Sequence, residues 1–333
     1  MNAVQAKPAQ RDDGARLGFR LTLPAQILVL FIAVFPLLMQ LYISLTDWSP
    51  LSGLGWWNAW SMWNSFANYT DLASDARFWS ALKRTAIVMI VCVPVEFLLG
   101  LALATLFADE FPGKRIFYSI LLMPMMVVPA VAGYMFFMLF QSGGPVNDIL
   151  SSLTGSPVTI AWLSDPTLAL FAVMVADIWQ WTPLMFLILL SGLVALPEDQ
   201  LNQARILGAS FWHRFRYLML PMLWPIILIA IIIRSIEVFK VFDAPFLLTG
   251  GGPGEASTTI SIWMYREVII NSRWGFASAA AIIVLIIVSF AGLFAVRPIE
   301  QAQEETMEEL IGADAEGADD ARLEDAIAAE ARV

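Results

Sequence analysis

A chain of 333 residues that is 59% hydrophobic and only 14% charged carries too few polar side chains to cover a soluble globule of its size, which points to a polytopic membrane protein. Its formal net charge of −10 sits almost wholly at the end: residues 1–297 hold 17 basic and 17 acidic side chains, whereas 298–333 hold 2 basic and 12 acidic. No basic stripe suggests nucleic acid, and the single cysteine, Cys92, lies in an apolar run, so neither a disulfide framework nor a thiolate metal cluster is available.

In chain order, residues 1–22 form a polar lead-in with Lys7, Arg11, Arg16 and Arg20. The apolar run from about Pro24 to Leu45 is longer than a signal-peptide core and lacks a small-x-small exit. It is long enough to cross the hydrocarbon core as a helix. Five further runs, at roughly 84–107, 116–140, 167–192, 219–241 and 276–296, meet the same length criterion. The predicted fold is therefore all-α, with six transmembrane helices in a permease domain spanning 23–297. Orientation follows from the short flanks. The lead-in, Lys114, Arg115, Arg205, Arg214, Arg216 and Arg297 give ten basic residues on one side, against five on the other: Arg77, Lys83, Arg84, Arg266 and Arg273. The richer side is cytoplasmic, which places both termini there.

The first outer segment contains Trp48, Trp56, Trp57, Trp60 and Trp63, with Trp79 after it, a density expected of an aromatic belt at headgroup level. Pro124 and Pro129 interrupt the third span, Pro183 the fourth, and Pro225 lies near the start of the fifth. Each frees a carbonyl that lipid cannot satisfy, so these faces are expected to look into the bundle or a wet cavity. The tail 298–333 has the composition of solvated disorder or a frayed helix.

The longest polar, helix-compatible stretch between two apolar runs is Leu196 to Pro221. Leu201, Ala204, Gly208, Phe211 and Phe215 recur at three- and four-residue spacing as one apolar stripe, with Asn202, Arg205, His213 and Arg216 off it. Gly208 is expected to break the helix and Ser210 to cap a second one. The stretch resembles the Glu-Ala-Ala loop of ABC importer permeases: Ala204, Gly208, Leu220 and Pro221 fall where that pattern has its second alanine, glycine and Leu-Pro. Asn202 and Gln203 replace the family's glutamate and first alanine, and Leu207 replaces the acid before the glycine. Glu198, one helical turn before Asn202 on the same face, is a candidate substitute for that glutamate.

Trp179-Gln180-Trp181-Thr182-Pro183, Phe242-Asp243, Thr249-Gly250-Gly251-Gly252-Pro253-Gly254 and the run Thr258–Tyr265 resemble the carbohydrate-uptake, maltose/glycerol-phosphate-like branch of type I importers. That resemblance implies a permease in a bacterial inner membrane that binds no cofactor itself. ATP and Mg would be bound by two ATPase subunits docked on Glu198, Asn202, Ala204, Arg205, Gly208, Ala209 and Phe211. A second permease and a periplasmic solute-binding protein would complete the assembly around a carbohydrate.

At helical rise, Asp177 lies about 15 Å below the outer end of the fourth span and Arg234 about 11 Å below that of the fifth. They read either as an ion pair that stabilises the bundle or as substrate contacts. Glu237, three residues from both Arg234 and Lys240, suggests local pairing. Glu96 is expected to bond backbone freed at Pro94. Trp179, Gln180, Trp181 and Thr182 supply the aromatic faces and hydrogen-bonding groups that sugars use, and they complete the expected substrate path with Asp243. The lone histidine, His213, has no partners for a metal site, and no catalytic cluster is evident. An ion-coupled secondary carrier is the alternative, but it would call for inverted repeats that the sequence does not display. An anionic sugar derivative is a further alternative, since Arg234 and Lys240 can neutralise it.

Overall fold

The computed structural model describes residues 10–294; the acidic tail 298–333 and Arg297 fall outside them. The described residues form helices, without a β-strand: α1 (Gln10–Ser44), α2 (Ala67–Ser74), α3 (Ala76–Ala108), α4 (Lys114–Met126), α5 (Pro129–Leu139), α6 (Pro145–Thr154), α7 (Pro166–Val194), α8 (Glu198–Ile206), α9 (Phe211–Phe239), α10 (Asp243–Thr249), α11 (Ile260–Tyr265) and α12 (Trp274–Phe294). Five of these, α1, α3, α7, α9 and α12, are long and apolar enough to cross a membrane; a sixth crossing exists if α4 and α5 count as one.

The span expected at 116–140, with its interruption by Pro124 and Pro129, consists of two helices bent by 95°. Val127 and Val128 are extended (φ −75°, ψ 130° and φ −60°, ψ 132°). Pro129 forces its predecessor out of the helical region and then suits the first turn of α5, where its missing N–H costs nothing. The fifth span also starts earlier than its apolar run: α9 begins at Phe211, inside the polar loop.

Two compact units share the described residues, 77–263 with 286–294, and 10–76 with 264–285. In the first, Leu101, Phe186, Leu189, Leu223 and Ile227 of α3, α7 and α9 are buried together, and Phe107 meets Phe186 edge-on at 5.3 Å. Lipid tails are as apolar as these side chains, so close packing and polar bonds hold such helices together rather than the hydrophobic effect. α5 lies on α10 at Gly133, where a Cβ would stand 2.5 Å from the Ala244 carbonyl oxygen. The glycine-rich turn after α10 is satisfied internally by hydroxyls. Ser257 Oγ donates to Gly252 O at 2.6 Å and Thr258 Oγ1 to Gly251 O at 2.9 Å, while Thr85 Oγ1 accepts from Ile260 N at 2.8 Å. Ser257 and Thr258 are buried, and irregular backbone buried away from water requires this kind of completion.

In the second unit, Asn68 Nδ2 donates to the carbonyls of Ser44 and Thr46, both at 2.9 Å, pinning α2 to the end of α1. Trp56, Trp57, Trp60 and Trp63 are exposed, as an aromatic belt requires, but Trp48 is buried. Its indole donates to Leu54 O at 2.8 Å and its ring meets Trp274 edge-on, so packing rather than headgroup contact holds it.

Candidate functional site

Three ionisable side chains meet inside the helix bundle. Arg234 of α9 is 1% exposed, Glu96 of α3 0% and Asp177 of α7 5%. The guanidinium takes Glu96 as a fork, Nε to Oε2 at 2.6 Å and Nη2 to Oε1 at 3.0 Å. The same Nη2 also donates to Asp177 Oδ2. Its face lies over the Trp181 ring, 5.2 Å from the centroid. Planar bidentate pairing suits arginine and not lysine. The cluster joins three spans at one depth, where the alternative to pairing is a charge in hydrocarbon.

The Asp177–Arg234 pairing agrees with the ion-pair expectation. Two other expectations are corrected. Glu96 does not serve backbone near Pro94, because α3 lies beside α9 and brings Arg234 within reach. Arg234 does not pair with Glu237, which turns instead to Lys240 at 2.8 Å. Glu96 is the one member of the cluster outside the expected substrate path; its signal in the sequence is a carboxylate near the middle of an apolar span.

A pocket of about 210 Å³ opens beside the cluster, lined among others by Gln180, Trp181, Arg234, Glu237, Lys240 and Asp243. Pro129, at the break between α4 and α5, also lines it. Six of the residues expected on a substrate path therefore share one concavity with aromatic, amide, cationic and anionic groups. Asp177 is buried against Arg234, while Trp179 turns to the α5 side and packs edge-on to Phe136 at 5.3 Å. Gln180 also holds the fold, since its Nε2 donates to Val127 O at 2.8 Å and completes a carbonyl at the helix break. Gln180→Ala is expected to lower unfolding stability by about 1–3 kcal/mol, the cost of a buried acceptor left unpaired, measurable as a lower thermal midpoint in detergent.

At the far end of α7 the Leu196–Pro221 stretch forms a knob. α8 ends in a Schellman motif: Gly208 N donates to Arg205 O at 3.1 Å and Ala209 N to Ala204 O at 3.0 Å. Gly208 is left-handed at φ +83°, a conformation glycine enters without penalty. Ser210 Oγ then accepts from His213 N at 3.3 Å and starts α9, so the glycine joint and serine cap both appear where expected. Just beyond, Leu220 N bonds Phe215 O, a π turn that leads into Pro221.

The apolar stripe is corrected in part. Leu201 and Phe215 pack on the bundle core, because the knob lies against its own helices and uses that face to stay there. The tip presents a different set: Ile206 and Leu207 are 84% and 87% exposed, beside exposed Asn202, Arg205, Gly208 and Glu198. Ala204 and Ala209 are half-buried and Phe211 exposed. His213 is exposed, and its ring lies tilted against that of Tyr217, centroids 4.6 Å apart.

The profile of the family described as binding-protein-dependent transport system inner membrane component matches residues 96–303, from the Glu96 cluster through the knob and beyond. The chain belongs to that family, and is an inner-membrane permease component. It is 40% identical to a probable ABC transporter permease protein of Sinorhizobium fredii, over 74% of this chain and 77% of the relative. It is 34% identical to a trehalose/maltose transport system permease protein of Thermococcus litoralis, over 86% and 94%. The fold matches a chain of a bacterial ABC transporter for import of the acidic polysaccharide alginate, with a TM-score of 0.74 at 19% identity, covering 89% of this chain and 99% of that one.

Proposed function

We propose that this chain is one of two different permease subunits of an ATP-driven carbohydrate importer in a bacterial cytoplasmic membrane, with both termini cytoplasmic. The observation that carries the reading is the knob, a rigidly capped helix–glycine–helix unit with an exposed tip, held on the chain by its own apolar face between two long spans. A carrier driven by an ion gradient has no use for such a part, whereas a soluble motor needs one to push. Two ATPase subunits bind ATP and Mg, and this chain binds neither. A periplasmic solute-binding protein delivers the sugar to the ends of the spans remote from the knob.

Carbohydrate is supported by the trehalose/maltose relative, which aligns over 94% of its length, and by the Trp181 face and Gln180 amide in the pocket. An anionic derivative fits less well, because Arg234 is already matched by two carboxylates and Lys240 by Glu237. ATP and the loaded binding protein must favour one state of the bundle by differential contact for the cycle to run. Uptake of labelled trehalose, maltose and other sugars into vesicles holding the full complex tests this reading. ATP-dependent accumulation of a neutral sugar supports it, and accumulation driven by an ion gradient without ATP removes it.

At the knob, Glu198 is proposed to stand in for the acid missing at Asn202. Glu198→Lys should then uncouple ATP hydrolysis from uptake more than Asn202→Lys does; equal effects, or none, dismiss the substitution.

A further inference from the structure

A second concavity, of about 640 Å³, lies between α3 and α7 at their ends remote from the knob. Its rim carries Lys83, Arg84 and Thr167, and its wall Leu170, Phe171 and Met174. None of these residues is acidic. Of the nearby carboxylates, Asp165 is occupied in capping α7, accepting from the backbone of Thr167 and Leu168, both at 2.9 Å, and Glu255 directly precedes the lining residue Ala256. Arg84 Nη1 is buried and has no hydrogen-bond partner, although a buried guanidinium N–H without an acceptor is costly. Lys83 and Arg84 also stand where the apolar run of α3 begins, the level of phospholipid headgroups. Phe171, which lines the concavity, is 49% exposed.

We propose that this concavity is a binding site for one anionic phospholipid, its phosphate held by Lys83 and Arg84 and one acyl chain laid along Leu170, Phe171 and Met174. A free anion would satisfy the rim alone and leave the apolar wall uncovered. A lipid satisfies both, and two adjacent cations give the headgroup charge a reason to matter. The proposed orientation enters only in assigning the lipid to the outer leaflet. The site is separate from the Arg234 pocket, so failure here leaves the transport reading intact.

Native mass spectrometry of the full complex tests the proposal, with titration of phosphatidylglycerol, phosphatidylcholine of the same acyl chains, and inorganic phosphate. The expected result is one retained phosphatidylglycerol, preferred over phosphatidylcholine, with the preference reduced about tenfold in K83Q/R84Q and kept in the charge-preserving K83R/R84K. Phe171→Ser should weaken both lipids alike. Equal retention of the two lipids by the unaltered complex overturns the proposal, as does an undiminished preference in K83Q/R84Q. Inorganic phosphate bound as tightly as phosphatidylglycerol also overturns it, by marking a soluble-anion site. Should K83Q/R84Q fail to assemble, the lipid comparison on the unaltered complex and on K83R/R84K decides.

Discussion

Arg234→Met is expected to remove most of the folded protein from the membrane. It leaves Glu96 and Asp177 facing one another with no cation between them, and breaking a buried pair by deleting one partner costs about 3–5 kcal/mol. That is a large part of the roughly 5–15 kcal/mol that holds a typical domain together. Arg234→Lys should recover little, since a single ammonium cannot reproduce the fork on Glu96 or lie flat on Trp181. Replacing all three charges, Glu96→Gln with Asp177→Asn and Arg234→Met, should restore much of the stability, because a fully neutral set carries no uncompensated charge. Thermal midpoints by size-exclusion after heating give the order: unaltered, then triple, then single replacement. A single replacement as stable as the unaltered chain would show that the cluster does not hold the bundle.

Gly208→Val should act in the opposite way, leaving the bundle intact and disabling the knob. A Cβ at Gly208 would touch nothing within 4 Å, so the penalty is conformational. A branched residue at φ +83° costs about 1–2 kcal/mol, which corresponds to a roughly 5–30-fold loss of the correctly turned knob. Membrane abundance should be unchanged, while uptake and binding-protein-stimulated ATP hydrolysis fall together. Gly208→Asn, which tolerates the left-handed region, should retain most of the coupling. Equal loss in both variants would assign the effect to contact at the glycine rather than to the turn.

The two substitutions also mark what is legible without the structure. Gly208, Ser210 and the helix–joint–helix form of the knob follow from local chemistry, and local chemistry survives folding. The stripe misleads because periodicity identifies a face without identifying what covers it. Leu201 and Phe215 are covered by the chain's own core, so the exposed apolar surface passes to Ile206 and Leu207. The absence of the family's acids at Asn202 and Leu207 gains meaning from that exposure: an ATPase docked there, as proposed, would meet aliphatic surface at Ile206 and Leu207 more than charge.

The existence of the spans is readable from hydropathy alone, but their ends are not, since α3 starts at Ala76 and α9 at Phe211. Pro124 and Pro129 announce an interruption, but the 95° bend depends on tertiary contacts: Gln180 capping Val127 O and Gly133 admitting the backbone of α10. The partner of Glu96 is out of reach for a related reason. Nearby backbone is the economical guess from sequence, whereas its true partner lies 138 positions away. Asp177 and Arg234 match by depth, so their pairing, unlike that of Glu96, is legible without the structure.

The most direct test of the central claim is co-reconstitution. The full chain, co-expressed with a second permease subunit and candidate ATPases, should purify as a stoichiometric assembly whose ATP hydrolysis in bilayers rises when the sugar-loaded binding protein is added. That rise should disappear with Gly208→Val. A stable chain that transports solute on its own, with no ATPase bound, would contradict the account.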